Sequence, residues 1–170
     1  MERHFWNSET DVAEFIAALI KMTGANTVLE IGVFEGYTSA EIIKALPNGG
    51  YYVGVDIKDY LKAENKKVFA AAKKEGKVAD LIIGDSLEEL KKFPAKHFGV
   101  IFIDGNHEYS HVMQEFKLCE HLIAENGVML FHDSIHLPDV KAVVDYAQKW
   151  GYKVSNLMTS DKRGLAIVHK

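Results

Sequence analysis

Seven short apolar runs dictate what this chain can fold into. They are "NTVLEI" from Asn26, "YYVGVDI" from Tyr51, "VADLII" from Val78, "FGVIFID" from Phe98, "GVMLFHD" from Gly127, "YKVSNLM" from Tyr152 and "GLAIVHK" from Gly164. All are brief and rich in β-branched and aromatic residues, and glycine or a helix end bounds most of them, so they read as strands. Their near-continuous apolarity predicts a sheet covered on both faces. Helical periodicity fills the intervals: Ser8 to Met22, Thr38 to Leu46, Asp59 to Lys74, Ser86 to Lys92, Glu108 to Glu125 and Pro138 to Trp150. Ser8 with Asp11 forms a weak capping box, and Gly76 is a good stop for the third helix. Alternation of this kind predicts a doubly wound, Rossmann-like α/β sheet of seven mostly parallel strands with helices on both faces. Only "TSDKRG" separates the last two runs. That gap permits a hairpin but no parallel crossover, so the last strand is predicted antiparallel.

At 170 residues and 48% hydrophobic the chain predicts one domain with a full core. A net charge of −4 excludes general nucleic-acid or membrane-surface binding, which needs a basic face. No apolar stretch reaches membrane-spanning length, and "MERHFWNSET" has no signal-peptide core. The lone cysteine, Cys119, sits in a helical apolar pattern and reads as a core thiol. A reducing, cytoplasmic setting is the expectation. The lysine-rich stretch around "KAENKK" and "AAAKKEGK" reads as a solvated helix face.

Ligands of such sheets bind at the carboxyl ends of the strands. Five successive strands end there in an acid: Glu30, Asp56, Asp85, Asp104 and Asp133. One acid is an ordinary helix cap; five on one rim suggest a bound molecule that uses them. The first turn, Glu30-Ile31-Gly32-Val33-Phe34-Glu35-Gly36, lacks the G-x-G-x-x-G fingerprint, which argues against a nicotinamide enzyme, and its glutamates would repel a pyrophosphate. Asp56 stands where an acid takes ribose hydroxyls, and Asp85 with Ser86 suits an exocyclic amine. Thr38 and Ser39, at a helix start, suit a carboxylate. An adenosine bearing an amino acid, S-adenosylmethionine, meets these demands together.

These segments resemble class I methyltransferases, most closely small catechol-type and sugar or macrolide O-methyltransferases. The resemblance rests on "VLEIGVFEGYTSAEI", "VGVDI", "IIGDSLEEL", "FGVIFIDGNHEYSHV" and "NGVMLFHDS", in order from Asn26 to about Ser134. It implies an N-terminal helical segment over 1–24, a cofactor and metal or catalytic core over 25–134, and a C-terminal helix with hairpin over 135–170. It implies that Gly32, Gly36, Tyr37, Thr38 and Ser39 line the methionine portion, with Glu30 and Phe34 in the same turn. Asp56 with Ile57 falls at the ribose, Asp85 with Ser86 at the adenine, and Asp104 toward the reaction centre.

"IDGNHEYSH" and "FHDSIH" bring Asp104, His107, His111, His132, Asp133 and His136 together. By the resemblance Asp104 and Asp133 hold a divalent cation, Mg²⁺ first, with Ser134 where the family commonly has asparagine. The i, i+4 pairs His107/His111 and His132/His136 leave a softer ion open. His107 is the expected base, His132 the second candidate, and Asp104 belongs to the same catalytic set. The acceptor is expected to be a small-molecule hydroxyl, with neither nucleic acid nor membrane as partner. His4, Phe5 and Trp6 are candidates to cover the acceptor, to pack on a second copy in a homodimer, or to anchor the core. The alternative reading is a non-catalytic S-adenosylmethionine-binding protein with the same fold.

Overall fold

The computed structural model describes residues 7–170. His4, Phe5 and Trp6 therefore lie outside the described residues. Strands β1 (Thr27–Ile31), β2 (Tyr51–Asp56), β3 (Val78–Ile83), β4 (Phe98–Ile103), β5 (Ile123–His132), β6 (Lys153–Leu157) and β7 (Leu165–His169) alternate with helices α1 (Thr10–Thr23), α2 (Tyr37–Ala45), α3 (Ala63–Ala72), α4 (Ser86–Glu89), α5 (Tyr109–Leu122) and α6 (Pro138–Lys149). The sheet order is β3-β2-β1-β4-β5-β7-β6. The chain leaves β1 toward β2 and later returns on the other side at β4, so the order reverses between β1 and β4. Pairings through β5 are parallel, and β7 runs antiparallel to both β5 and β6, as the short connection requires.

Period-2 side-chain alternation divides the core. Leu29, Ile31, Ile101, Ile103 and Phe131 face α5 and α6, where Phe116, Val143 and Val144 meet them. Val28, Tyr52, Val100, Phe102 and Leu130 face α1 and α2, against Val12, Ile16, Ile42 and Ile43. Fully burying one such aliphatic side chain is worth about 1.5–3 kcal/mol. Cys119 is wholly buried in the first cluster, and burial lifts its thiol well above the ordinary range.

Three boundaries differ from the sequence reading. The weak capping box does not form: α1 starts at Thr10, Ser8 turns its hydroxyl to Asp104, and Asp11 accepts from Ser160. Helix α3 starts at Ala63, because Asp59 closes a turn onto the Leu61 amide and an ion pair to Lys66 instead. Helix α5 stops at Leu122, and Ile123 pairs at once with Phe98; the register then jumps, so that Val100 meets Val128. No helix among the described residues is long and apolar enough to cross a membrane.

Candidate active site

A cavity of about 610 Å³ opens at the carboxyl ends of β1, β2, β3 and β4. Gly32, Phe34, Asp56, Ile57, Asp85, Ser86, Asp104 and His107 line it, and so do residues the sequence reading did not select: Tyr60, Glu115 and Arg163.

The end of the cavity beside β2 and β3 is built on backbone. Gly32 has φ +85°, and an added Cβ would lie 2.2 Å from the Asp104 carbonyl oxygen, so the two loops touch with no room for a side chain. Asp56 Oδ2 accepts from the amides of Val33 and Phe34, both at 2.8 Å, and Oδ1 accepts a longer bond from Lys58 N at 3.2 Å. Those bonds hold Phe34 at φ +47°, a region costly for a non-glycine residue. Phe34 stands 5.5 Å from Tyr60, ring to ring. Ile57 is 69% exposed beside the cavity, an unusual state for an isoleucine. Asp85 Oδ1 caps α4 by accepting from Leu87 N, and Ser86 donates to Glu115 Oε1 at 2.6 Å with His111 beside it.

Five acids do end the strands, but they do not share one surface. Glu30 follows Val28 by two residues and so points to the α1–α2 face, behind the glycine turn. There Ser39 Oγ and Tyr52 OH donate to Glu30 Oε2, at 2.6 and 2.5 Å. Burial outweighs these bonds and raises the carboxyl to about 8. Gly54, paired with Glu30, leaves the space the Tyr52 hydroxyl needs: an added Cβ would come within 2.5 Å of it. Ser39 is thus spent on Glu30, and Gly36, Tyr37 and Thr38 also lie outside the cavity lining.

The end beside β4 and β5 is a charge cluster assembled from four parts of the chain. Asp104 Oδ1 is 2.9 Å from His132 Nδ1, and Oδ2 accepts from Ser8 at 2.6 Å. His132 Nε2 meets Glu9 Oε2 at 2.5 Å, and Glu9 Oε1 accepts from Thr159. Burial works against charge on all three groups, yet the mutual bonds win. Glu9 is held at about 2, Asp104 lies below the usual carboxylate range, and His132 is raised to about 10. His132 is therefore a buried imidazolium that carries structure, and it is unsuited to act as the second base. Asp133, at φ +58° and almost wholly buried, is gripped by Arg163 through both oxygens, at 2.7 and 2.8 Å. His107 Nε2 faces the two carboxylates, 3.6 Å from Asp104 Oδ1 and 3.4 Å from Asp133 Oδ2, with no hydrogen-bond partner among the described residues.

The softer-ion pairs do not form, because His111 turns to Ser86 and Glu115 while His132 is locked between acids. Donor atoms of Asp104, His107 and Asp133 do lie within 4.8 Å of one another. Ser134 is buried away from the cavity lining. The donor set nevertheless does not fit a divalent ion. All four carboxylate oxygens already take N–H or O–H groups of the chain, three of them from the cationic His132 and Arg163. Unit charges 4 Å apart repel by about 4 kcal/mol at an effective dielectric of 20, so a doubly charged ion would face about twice that from each neighbour.

The missed residues share one trait. Ser8, Glu9 and Thr159 reach their partners across 96 to 150 residues of sequence, and Arg163 reaches Asp133 across 30. Only Arg163 left a trace, as one of two arginines in a lysine-rich chain.

A sheet of this order, with its cavity at the strand reversal and acids at the strand ends, defines a class of nucleoside-binding α/β protein. The comparisons narrow it. A family described as a methyltransferase domain matches residues 29–134, more than half the chain, and the chain belongs to that family, in the class I S-adenosylmethionine-dependent branch. The O-methyltransferase ankF of Aspergillus thermomutatus is 36% identical over 116 residues, which cover 66% of this chain and 47% of that protein. Caffeoyl-CoA O-methyltransferase 2 of Petunia hybrida is 41% identical over 58 residues, 32% of this chain and 24% of that one. The chain thus spans half or less of these two relatives. Among solved structures, the O-methyltransferase of Bacillus cereus in complex with SAH superposes with a TM-score of 0.80 at 16% identity, over 98% of this chain and 84% of that one.

Proposed function

We propose that this protein transfers the methyl group of S-adenosylmethionine to a hydroxyl of a small molecule, with His107 as the base. The observation that carries the reading is the position of His107. It lines one end of a cavity whose other end holds Asp56, Ile57, Asp85 and Ser86. Oxygen as the acceptor atom is supported by the names of the relatives.

In this reading Asp56 Oδ1, which makes only one long bond, faces the ribose. Phe34, Tyr60 and Ile57 cover the nucleoside, and Ser86 with Asp85 meets the adenine. Asp104 and Asp133 favour the proton of His107 on Nε2, which leaves the Nδ1 lone pair for the acceptor. As the acceptor oxygen bonds to the methyl carbon, the carbon–sulfur bond breaks and the sulfonium becomes a thioether. The hydroxyl proton passes to His107. The imidazolium so formed meets two carboxylates, which stabilise it as the acid of a Ser-His-Asp triad does. Asp104, Asp133 and Glu9 carry three negative charges against two positive ones on His132 and Arg163. Proton transfer to His107 therefore brings this group to balance.

Incubation with labelled methyl donor and a panel of catechols, flavonoids, sugars and hydroxy acids tests the reading. A labelled, base-stable ether product is expected from one class. S-adenosylhomocysteine that shows no heat of binding would overturn both this reading and the non-catalytic alternative. Firm binding with no product from a broad panel would favour the latter.

A further inference from the structure

We propose that Arg163 is the resident cation of the reacting centre: it holds Asp133 beside His107 and so excludes a divalent ion that the two carboxylates and the histidine would otherwise attract. This inference rests on the methyl-transfer reading and deepens it at Arg163, which that reading counts only as one positive charge.

Strand β7 runs against its neighbours, so its first residue, not its last, lies at the rim where β5 ends; His132 pairs with Leu165. Arg163 precedes that strand and is thereby delivered to Asp133. Its backbone is fixed from both sides. The Arg163 carbonyl accepts from Ile135 N and His136 N, at 3.0 and 2.9 Å, and Gly164 N donates to Thr159 Oγ1. Gly164, at φ +89°, lies so close to Ile135 that a Cβ would come within 2.5 Å of its side chain. The guanidinium then makes two parallel bonds to Asp133 and a third to the Asn7 carbonyl at 3.1 Å. Arginine suits the place because its planar fork matches a carboxylate and it never loses its charge. Lysine, nine-tenths of the cationic residues here, would offer a point charge without the fork.

An ion binding at Asp104, His107 and Asp133 would need lone pairs that Arg163 holds, and would sit against its charge. Arg163 therefore does two of the things a metal would do, fixing the carboxylate and supplying positive charge, while leaving His107 free to take the proton. It acts through Asp133 and is a positioning residue.

The test uses Mn²⁺ as the probe, with free ion followed by electron paramagnetic resonance, on the full chain saturated with S-adenosylhomocysteine. Wild type is expected to bind no stoichiometric Mn²⁺ at millimolar concentration. Arg163→Met uncovers the donors and is expected to bind Mn²⁺ about 10- to 100-fold more tightly than wild type, the range by which neighbours of metal ligands change affinity. Arg163→Lys keeps the charge and is expected to refuse Mn²⁺ as wild type does. Stoichiometric binding by wild type overturns the inference, as does a folded Arg163→Met protein that binds no better. If Arg163→Met fails to fold, Arg163→Gln, which keeps a polar group beside Asp133 but no charge, takes its place: Mn²⁺ binding about 10- to 100-fold tighter than wild type upholds the inference, and binding no better than wild type overturns it. A purely structural arginine would leave the manganese signal unmoved in every folded variant. Loss of S-adenosylhomocysteine binding by wild type would instead sink the methyl-transfer reading.

Discussion

The two ends of the cavity are built by different means. At the nucleoside end one acid grips two consecutive amides, a glycine admits a neighbouring backbone, and partners lie close in sequence or on adjacent strands. At the reaction end Ser8, Glu9, Thr159 and Arg163 converge on Asp104, His132 and Asp133. The first end is backbone shape, and the second is charge balance. A backbone site tolerates loss of one bond with a graded effect; a balanced cluster does not, because each removed partner strands a buried charge.

Substitutions should show that contrast. The largest effect is expected at His107: His107→Ala should lower turnover about 100- to 10,000-fold while S-adenosylhomocysteine affinity, measured by calorimetry, holds. A normal rate would discard His107 as base. Next comes Glu9→Gln, which keeps the volume but leaves His132 with one acid fewer. Denaturant unfolding should show a loss of about 3 kcal/mol or more, and a loss below 1 kcal/mol would mean the cluster is not balanced as described. Asp56→Asn removes a charged acceptor from the nucleoside end. It should weaken S-adenosylhomocysteine by about 10- to 150-fold, the equivalent of about 1.5–3 kcal/mol, at nearly unchanged stability.

The smallest effect is a pH slope. Glu30, raised to about 8, keeps in the folded chain a proton that the unfolded chain loses from 4.5 upward. The native state binds the extra proton, so this contribution declines as pH rises from 4.5 to 8 and is level above. His132, raised from 6.5 to about 10, contributes fully below 6.5 and loses its contribution as pH rises through 10. The melting temperature of wild type should therefore fall from pH 6 toward pH 9, about where both groups act. Glu30→Gln should flatten the part below 8 and leave the part above. An unaltered slope in that variant would show that Glu30 is ionised in the folded chain.

The same contrast explains what could be read from the sequence. Alternating runs and one short gap carried the sheet and its reversed last strand, since strand length and crossover geometry are local constraints. That Asp56, Asp85, Asp104 and His107 line one cavity was legible because a doubly wound sheet sends its strand ends to one rim. Glu30 misled because its facing depends on the parity of two residues, which set it beneath the glycine turn. Ser8 misled because its hydroxyl had two outlets, the nearby helix amide and a distant aspartate, and only tertiary packing chose between them. Glu9, Thr159 and Arg163 had no local pattern to announce them.

The reversal of β7 also sets a timetable. Ribosomal synthesis delivers Asp104 and Asp133 well before Arg163, and the turn that carries Arg163 docks only when the closing hairpin zips onto β5. Until then Asp133 lacks its guanidinium, and the charge cluster around it stays unassembled. Completion of the hairpin is thus the step that arms the molecule.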